Sequence, residues 1–141
     1  IPSIRAKIEK ENLAAARPLP VSEDPGTSPE SLVRGRTRYE KECQSCHGTT
    51  GVGDGPSSAT LRDWQDAAIR PRDFTSGVFR AGSTPRDLYV RLRSGLNGTP
   101  MPSIPGKDDD IWDLVHYIMS LVRKDGAPSG VHSGCDGGEG R

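Results

Sequence analysis

The sequence is short of the residues that build an ordinary protein core. Aromatic residues make up 5% and hydrophobic residues 32% of its 141 residues, which is low for a globular domain. No hydrophobic run is long enough to span a bilayer, and no Val- or Ile-rich segments predict the strands of an α/β fold. A core made from these side chains alone would be thin.

Net charge is also absent, since 19 basic residues balance 19 acidic ones. This balance gives no ground for nucleic-acid binding or general membrane-surface binding. The distribution is uneven: residues 57–100 contain seven Arg against four Asp, whereas residues 101–141 contain four basic and seven acidic residues. We expect most of these charges to lie on a solvated surface.

Cysteine is scarce, yet two of the three cysteines stand in the run Cys43-Gln44-Ser45-Cys46-His47. Cys-x-x-Cys-His is the attachment signal for c-type haem. On a helical turn these three side chains share one face. Both sulfurs can then bond to the porphyrin vinyl groups while His47 ligates the iron. A buried porphyrin would also supply the apolar surface that the core lacks.

Two other interpretations of the cysteine pair remain open. One is a thioredoxin-like redox pair, which requires strands and helices that alternate around the motif. The other is a zinc site completed by His132 and Cys135 of the Gly-rich tail. The histidine directly after Cys46 favours haem over both. If haem takes Cys43 and Cys46, Cys135 is left as an inert thiol, or as the site of an intermolecular disulfide or lipid linkage.

The second axial position of the iron has four candidate ligands: Met101, Met119, His116 and His132. Prolines on both sides of Met101 stiffen its loop and could present a thioether at a fixed distance. Met119 belongs to an apolar helical stripe and is explained by packing. We expect His116 to be solvated, and His132 lies in the tail. Met101 is therefore the predicted distal ligand.

Three helices have clear sequence signals. Ser28 is a predicted N-cap followed by proline, and Thr84 begins a second capping signature for a helix that ends at Gly95. Apolar residues recur at helical spacing from Ile111 to Val122, with Asp108 to Asp110 at the start and Arg123-Lys124 at the end. A further short helix is predicted over residues 58–68.

Supporting contacts to His47 and to the haem are predicted for the loop after His47 and for two arginines. A backbone carbonyl near Pro56 could accept the free imidazole N–H of His47 and fix its orientation. Arg72 and Arg80 belong to the Arg-rich segment, and a forked guanidinium suits the carboxylates of haem propionates.

The chain resembles the bacterial class I mono-haem c-type cytochromes. The resemblance covers residues 29–123 and depends on four segments: Cys43 to Gly48, Gly51 to Pro56, Gly98 to Pro102 with Met101 between two prolines, and Leu114 to Ile118. It implies an all-α fold of three to five helices around one covalently attached haem, with the first and last helices crossing. An extended arm (1–28) and a Gly-rich tail (124–141) lie outside it.

The resemblance also implies helix-crossing residues. The family's glycine and aromatic residue in the first helix fall on Gly35 and Tyr39, and its aromatic residue in the last helix falls on Tyr117 or Trp112.

The expected function is one-electron transfer by a His/Met-ligated haem c, with no catalytic residues. The chain would act as a periplasmic carrier, or as a subunit of a larger oxidoreductase complex such as those of respiration, and its partners would be redox proteins. The residues from Ile1 to Arg5 lack an apolar signal core, so we expect that a signal was removed or that it lies upstream. Alternatives are a haem enzyme or gas-binding protein with an open sixth position, and a zinc-bound interaction module.

Overall fold

The regular structure is helical in residues 19–124, the part of the chain that the computed structural model describes. This segment holds no β-strand, and its one isolated bridge pairs Arg62 with Ala68. Two single-turn 3-10 helices lie in its loops, at Ser58–Thr60 and Phe74–Ser76. Its α-helices are α1 (Pro29–Glu42), α2 (Gln44–His47), α3 (Pro85–Ser94) and α4 (Asp108–Ser120). The all-α prediction is confirmed.

Capping residues set where α1 and α3 begin, as their sequence signals predict. Ser28 Oγ accepts the Ser31 N–H at 3.0 Å, and Ser31 Oγ accepts the Ser28 N–H at 2.9 Å. Thr84 and Asp87 form the same reciprocal pair at the start of α3. Each pair satisfies backbone donors that the first helical turn leaves free. Helix α3 ends before Gly95, whose φ of 69° suits glycine.

Helices α1 and α4 cross in direct contact at Gly35. A Cβ atom on Gly35 would overlap the Asp113 carbonyl and come within 2.8 Å of Tyr117 Cβ. The crossing is also fixed by Arg34, which donates two hydrogen bonds to the Asp113 carboxylate at 2.6 and 3.0 Å. The Tyr39 and Tyr117 rings pack at 5.2 Å between centroids. Tyr117, and not Trp112, is therefore the aromatic residue that meets Tyr39.

Helix α4 supplies much of the core, and α3 packs against its other side. The Trp112 ring stacks on Tyr89 of α3 with 4.6 Å between centroids. The buried apolar side chains are Tyr39, Cys43, Phe74, Phe79, Leu88, Tyr89, Leu92, Ile104, Ile111, Trp112, Leu114, Val115 and Ile118.

Residues 21–24 lie against α4 and bury a histidine that the sequence predicts to be solvated. His116 is only 5% exposed, and its Nε2 lies 2.8 Å from Asp24 Oδ1. Trp112 Nε1 donates to Ser22 Oγ at 3.0 Å, and Val21 packs on the core. The prediction that His116 is solvated is wrong, because the segment before α1 covers the side of α4 that lies outside the apolar stripe.

Two predicted helix boundaries are also wrong. The segment 58–68 is helical only at Ser58–Thr60, because Asp63 Oδ1 accepts the N–H groups of Gln65 and Ala67, both at 2.9 Å, and closes a turn instead. Helix α4 ends at Ser120, and the Arg123 N–H donates to the Thr75 carbonyl at 2.9 Å.

Several predictions fall outside the described residues. They concern residues 1–18 of the arm, the tail from residue 125 onward, and His132 and Cys135 within that tail. Within residues 19–124, no helix has the length and apolar character needed to cross a bilayer.

The Gly35→Ala variant tests the helix crossing. Its methyl group meets backbone atoms that cannot rotate away, so we expect the overlap to cost about 3 kcal/mol, at the top of the range for overpacking. The greater helix propensity of alanine offsets about 1 kcal/mol of this cost, so the net destabilisation of the fold should be about 2 kcal/mol. Denaturant unfolding of the haem-loaded protein measures this. Val33→Ala, on the same helix at a side chain 67% exposed, is the control, and equal stability of both variants would contradict the close crossing.

The Asp24→Ala variant tests the contact between residues 21–24 and α4. His116 Nδ1 is buried without a hydrogen-bond partner, so removing Asp24 leaves both ring nitrogens unpaired, at a cost of about 1–3 kcal/mol. Asp24→Asn keeps an oxygen acceptor and should retain most of the stability. Glu23→Ala removes the same charge from an exposed neighbour. If it destabilised the fold as much as Asp24→Ala, the His116 contact would not be the cause.

Candidate cofactor-binding site

The two motif cysteines lie at the junction of α1 and α2. Cys43 ends α1 and also precedes α2, so the motif begins where the α1–α4 crossing has already fixed the chain. Cys43 is buried, and this burial raises the pKa of its thiol to about 12. Cys46 is half-buried three residues later, one turn further along the same face.

The His47 imidazole is held in one orientation. Its Nδ1 lies 3.2 Å from the Arg72 carbonyl oxygen, and because a carbonyl only accepts, Nδ1 must carry the proton. The lone pair then belongs to Nε2, which is the arrangement that a metal-ligating histidine needs. Burial lowers the pKa of His47, against the opposing effect of the Arg72 hydrogen bond, and so favours the neutral ring.

The acceptor for His47 corrects the prediction made for Pro56. Pro56 is exposed and does not line the cavity that His47 faces. The acceptor comes from Arg72, which is 25 residues from His47 in sequence. A loop that follows the motif directly was the natural place to expect it, and local spacing carries no signal for so distant a partner.

Aromatic rings support the imidazole from the core side. The Phe74 ring stacks on His47 with 4.1 Å between centroids and 18° between planes. Phe79 stacks on Phe74 in turn, at 5.7 Å. The Phe74 N–H donates to the Gly51 carbonyl at 2.7 Å. This bond connects the stacked rings to the glycine-rich loop that follows His47, residues 48–56.

That glycine-rich loop wraps the end of α2 and satisfies its free carbonyls. Gly53 N–H donates to the His47 carbonyl, Gly55 N–H to that of Cys46, and Ser57 N–H to that of Ser45, at 2.9 to 3.1 Å. A Cβ on Gly55 would collide with the Ser45 carbonyl, so only glycine permits the approach. A four-residue helix leaves most of its carbonyls without a partner inside the helix, and these loop N–H groups supply partners that the sequence did not predict.

A cavity of about 410 Å³ opens beside the motif and brings most predicted site residues together. Cys43, Cys46, His47 and Met101 all line it. Its apolar walls come from α3, α4 and the intervening loops, and consist of Leu61, Ile69, Phe74, Phe79, Leu88, Leu92, Leu96, Ile104 and Ile118.

Met101 reaches this cavity from a loop that is closed by its own hydrogen bonds. The Leu96 N–H donates to the Met101 carbonyl at 3.1 Å, and Thr99 Oγ1 both donates to the Leu96 carbonyl at 2.8 Å and accepts the Met101 N–H at 3.3 Å. Met119 and His116, the other candidates among the described residues, do not line the cavity.

Arginines gather at the same cavity. Arg72 and Arg80 line it, as predicted for anionic ligand groups, and Arg70 and Arg91 line it as well. The sequence analysis did not single out the latter pair, although both belong to the Arg-rich segment. Of the carboxylates that line it, Glu42 pairs with Arg38, and Asp73 accepts hydrogen bonds from Thr75.

These residues fit a c-type haem. The set comprises two thiols on one helical face, an imidazole with an available Nε2, a thioether, apolar walls and guanidinium groups for carboxylates. Residues 19–124 hold no group of three or more His, Cys, Asp or Glu side chains suited to a metal ion. The proposed zinc partners His132 and Cys135 lie outside that range.

Known proteins share both the sequence and the fold of this chain. A chain of the reducing HAO-like protein complex of Kuenenia stuttgartiensis is 38% identical and superimposes with a TM-score of 0.71. The alignment covers 86% of this chain and 59% of that one, so this chain spans about three-fifths of its length. No curated protein matches.

The sequence profile of the cytochrome c family matches residues 32–122, which include every residue that lines the cavity, all of α4, and α1 from Leu32 onward. The helical structure without strands in residues 19–124 is consistent with the class I cytochrome c fold. A cytochrome c domain implies covalently bound haem c and electron transfer through it. The chain belongs to the cytochrome c family.

Proposed function

We propose that this chain transfers single electrons through one haem c. Cys43 and Cys46 would form the thioether bonds, and His47 and Met101 would bind the two faces of the iron. The observation that carries this proposal is that all four side chains line the same cavity. The folded unit would be residues 29–123, extended by residues 21–24 of the predicted arm, which pack on α4.

Haem c supplies a ferric/ferrous couple, whose potential a methionine ligand raises. The chain's own residues bind and orient it. His47 presents Nε2 because the Arg72 carbonyl occupies Nδ1, and the Phe74 ring prevents the imidazole from turning. If both His47 and Met101 bound the iron, no coordination site would be left for a substrate. This supports an electron carrier over a haem enzyme.

The arginines at the cavity would bind the two carboxylates of the haem. Arg72 and Arg80 are exposed residues that line the cavity, so each could reach a carboxylate at its mouth. Arg70 and Arg91 extend the same positive edge. Guanidinium groups left over at this edge would favour redox partners with acidic surfaces.

The chain would act outside the cytoplasm, in the bacterial periplasm, because c-type cytochromes of this class receive their haem there. Two observations support a role as a subunit of a larger oxidoreductase complex. The similar solved structure is described as part of a protein complex, and its chain extends well beyond the aligned region. A freely diffusing carrier remains the other form of the same function.

Replacing Met101 tests the axial pair. The haem-loaded protein should be low-spin in the ferric form and show a methionine-to-iron charge-transfer band in the near-infrared. Met101→Ala should lose the band and become high-spin, because no other described methionine reaches the cavity. Met119→Leu, a change of similar volume outside the cavity, should keep both features.

The same spectra separate the alternatives. A high-spin wild-type protein would contradict the proposed axial pair and favour a haem with an open sixth position. A band that survives in Met101→Ala would also contradict the pair, because it would mean that a different sulfur binds the iron.

Replacing both motif cysteines tests covalent attachment. Haem should remain with the wild-type polypeptide after denaturation and acid extraction, because thioether bonds survive both. Cys43→Ala/Cys46→Ala should lose all covalent haem, whereas Cys135→Ser should retain it. A protein that contained zinc and no extractable or covalent haem would contradict the proposal.

A further inference from the structure

The loop that carries Met101 is held from outside by a second loop. The backbone N–H of Trp64 donates to the Gly98 carbonyl at 3.0 Å. Gly98 has a φ of 78°, and a Cβ on it would lie 2.8 Å from Trp64 Cδ1. The indole edge therefore packs against the backbone of Gly98, three residues before Met101. By contrast, the hydrogen bonds within residues 96–101 are local to that loop.

This second loop, residues 61–69, is a closed hairpin. Its ends are joined by the Ile69 N–H, which donates to the Leu61 carbonyl at 3.1 Å. Its tip is closed by the Asp63 N–H, which donates to the Ala67 carbonyl at 2.9 Å, and by Asp63 Oδ1, which accepts two backbone N–H groups. Asp63 thus determines the shape of the turn that carries Trp64.

The hairpin touches both the cavity and the methionine loop. Leu61 and Ile69 at its base line the cavity, while Trp64 at its tip contacts Gly98. Trp64 is 77% exposed, so burial in the core does not explain its position. Its described contacts are with the loop that presents Met101.

We propose that the 61–69 hairpin is a brace that keeps Met101 on the iron, with Asp63 and Trp64 as positioning residues. This rests on the proposed His47/Met101 ligation. A loop that opens more often exposes the iron to other ligands for a larger fraction of the time. The apparent affinity for an added ligand rises in proportion to that fraction.

Imidazole binding to the ferric, haem-loaded protein measures this opening. Asp63→Ala removes the acceptor of two turn hydrogen bonds, and Trp64→Ala removes the ring contact. Each should bind imidazole about threefold to tenfold more tightly than wild type. This range corresponds to a closed loop destabilised by about the net free energy of one hydrogen bond. Asp63→Asn removes the same charge but keeps the oxygen acceptor, and should restore wild-type affinity.

Two further measurements separate the brace from general destabilisation and from the ligand assignment. Amide hydrogen exchange at Leu96 and Met101 should accelerate in Asp63→Ala and Trp64→Ala. Asp24→Ala weakens the fold at its contact with His116, and neither residue lines the cavity, so this variant should leave imidazole affinity unchanged. If it tightened imidazole binding equally, or if exchange at Leu96 and Met101 stayed at the wild-type rate, the brace would be overturned.

The ligand assignment fails in a different way. If exchange accelerated in these variants while imidazole affinity stayed constant, the hairpin would hold the loop but Met101 would not be on the iron. That result would overturn both the positioning role and the proposed axial pair, whereas unchanged exchange would overturn the brace alone.

Discussion

The contact between α1 and α4 at Gly35 is the constraint on which the site depends. Because Gly35 has no side chain, the two helix backbones touch, and Arg34 and Tyr39 secure the crossing on either side. The motif starts at Cys43, directly after α1. Fixing α1 on α4 therefore fixes where both cysteines and His47 meet the cavity.

The two sides of the cavity are built differently. On the His47 side, a short helix, a glycine-rich loop and stacked rings leave the imidazole one orientation. On the Met101 side, the side chain is carried by a loop whose described hydrogen bonds are mostly local, with one from outside, from Trp64 to Gly98. Local unfolding occurs most readily in the least stable parts of a structure. Any loss of the proposed axial ligation would therefore begin on the Met101 side, while the His47 side stays in place.

Sequence patterns predicted the features that depend on near neighbours. The caps at Ser28 and Thr84 and the apolar stripe of α4 follow from residues a few positions apart, and the family resemblance located Gly35. Predictions failed where distant segments decide the outcome. His116 is buried by residues near Asp24, and the acceptor for His47 is Arg72. The helix expected over residues 58–68 gave way to a turn because the Asp63 side chain competes for backbone donors.

The proposal that joins these observations is that Met101 sulfur and His47 nitrogen would both ligate a haem iron in this cavity. X-ray absorption at the iron edge of the ferric haem-loaded protein tests it most directly, since sulfur and nitrogen neighbours scatter differently. The proposed ligation predicts one sulfur neighbour of iron, together with nitrogen neighbours from porphyrin and imidazole. It also predicts that Met101→Ala removes that sulfur. An iron with only nitrogen or oxygen neighbours, or a sulfur that persists in Met101→Ala, would contradict it.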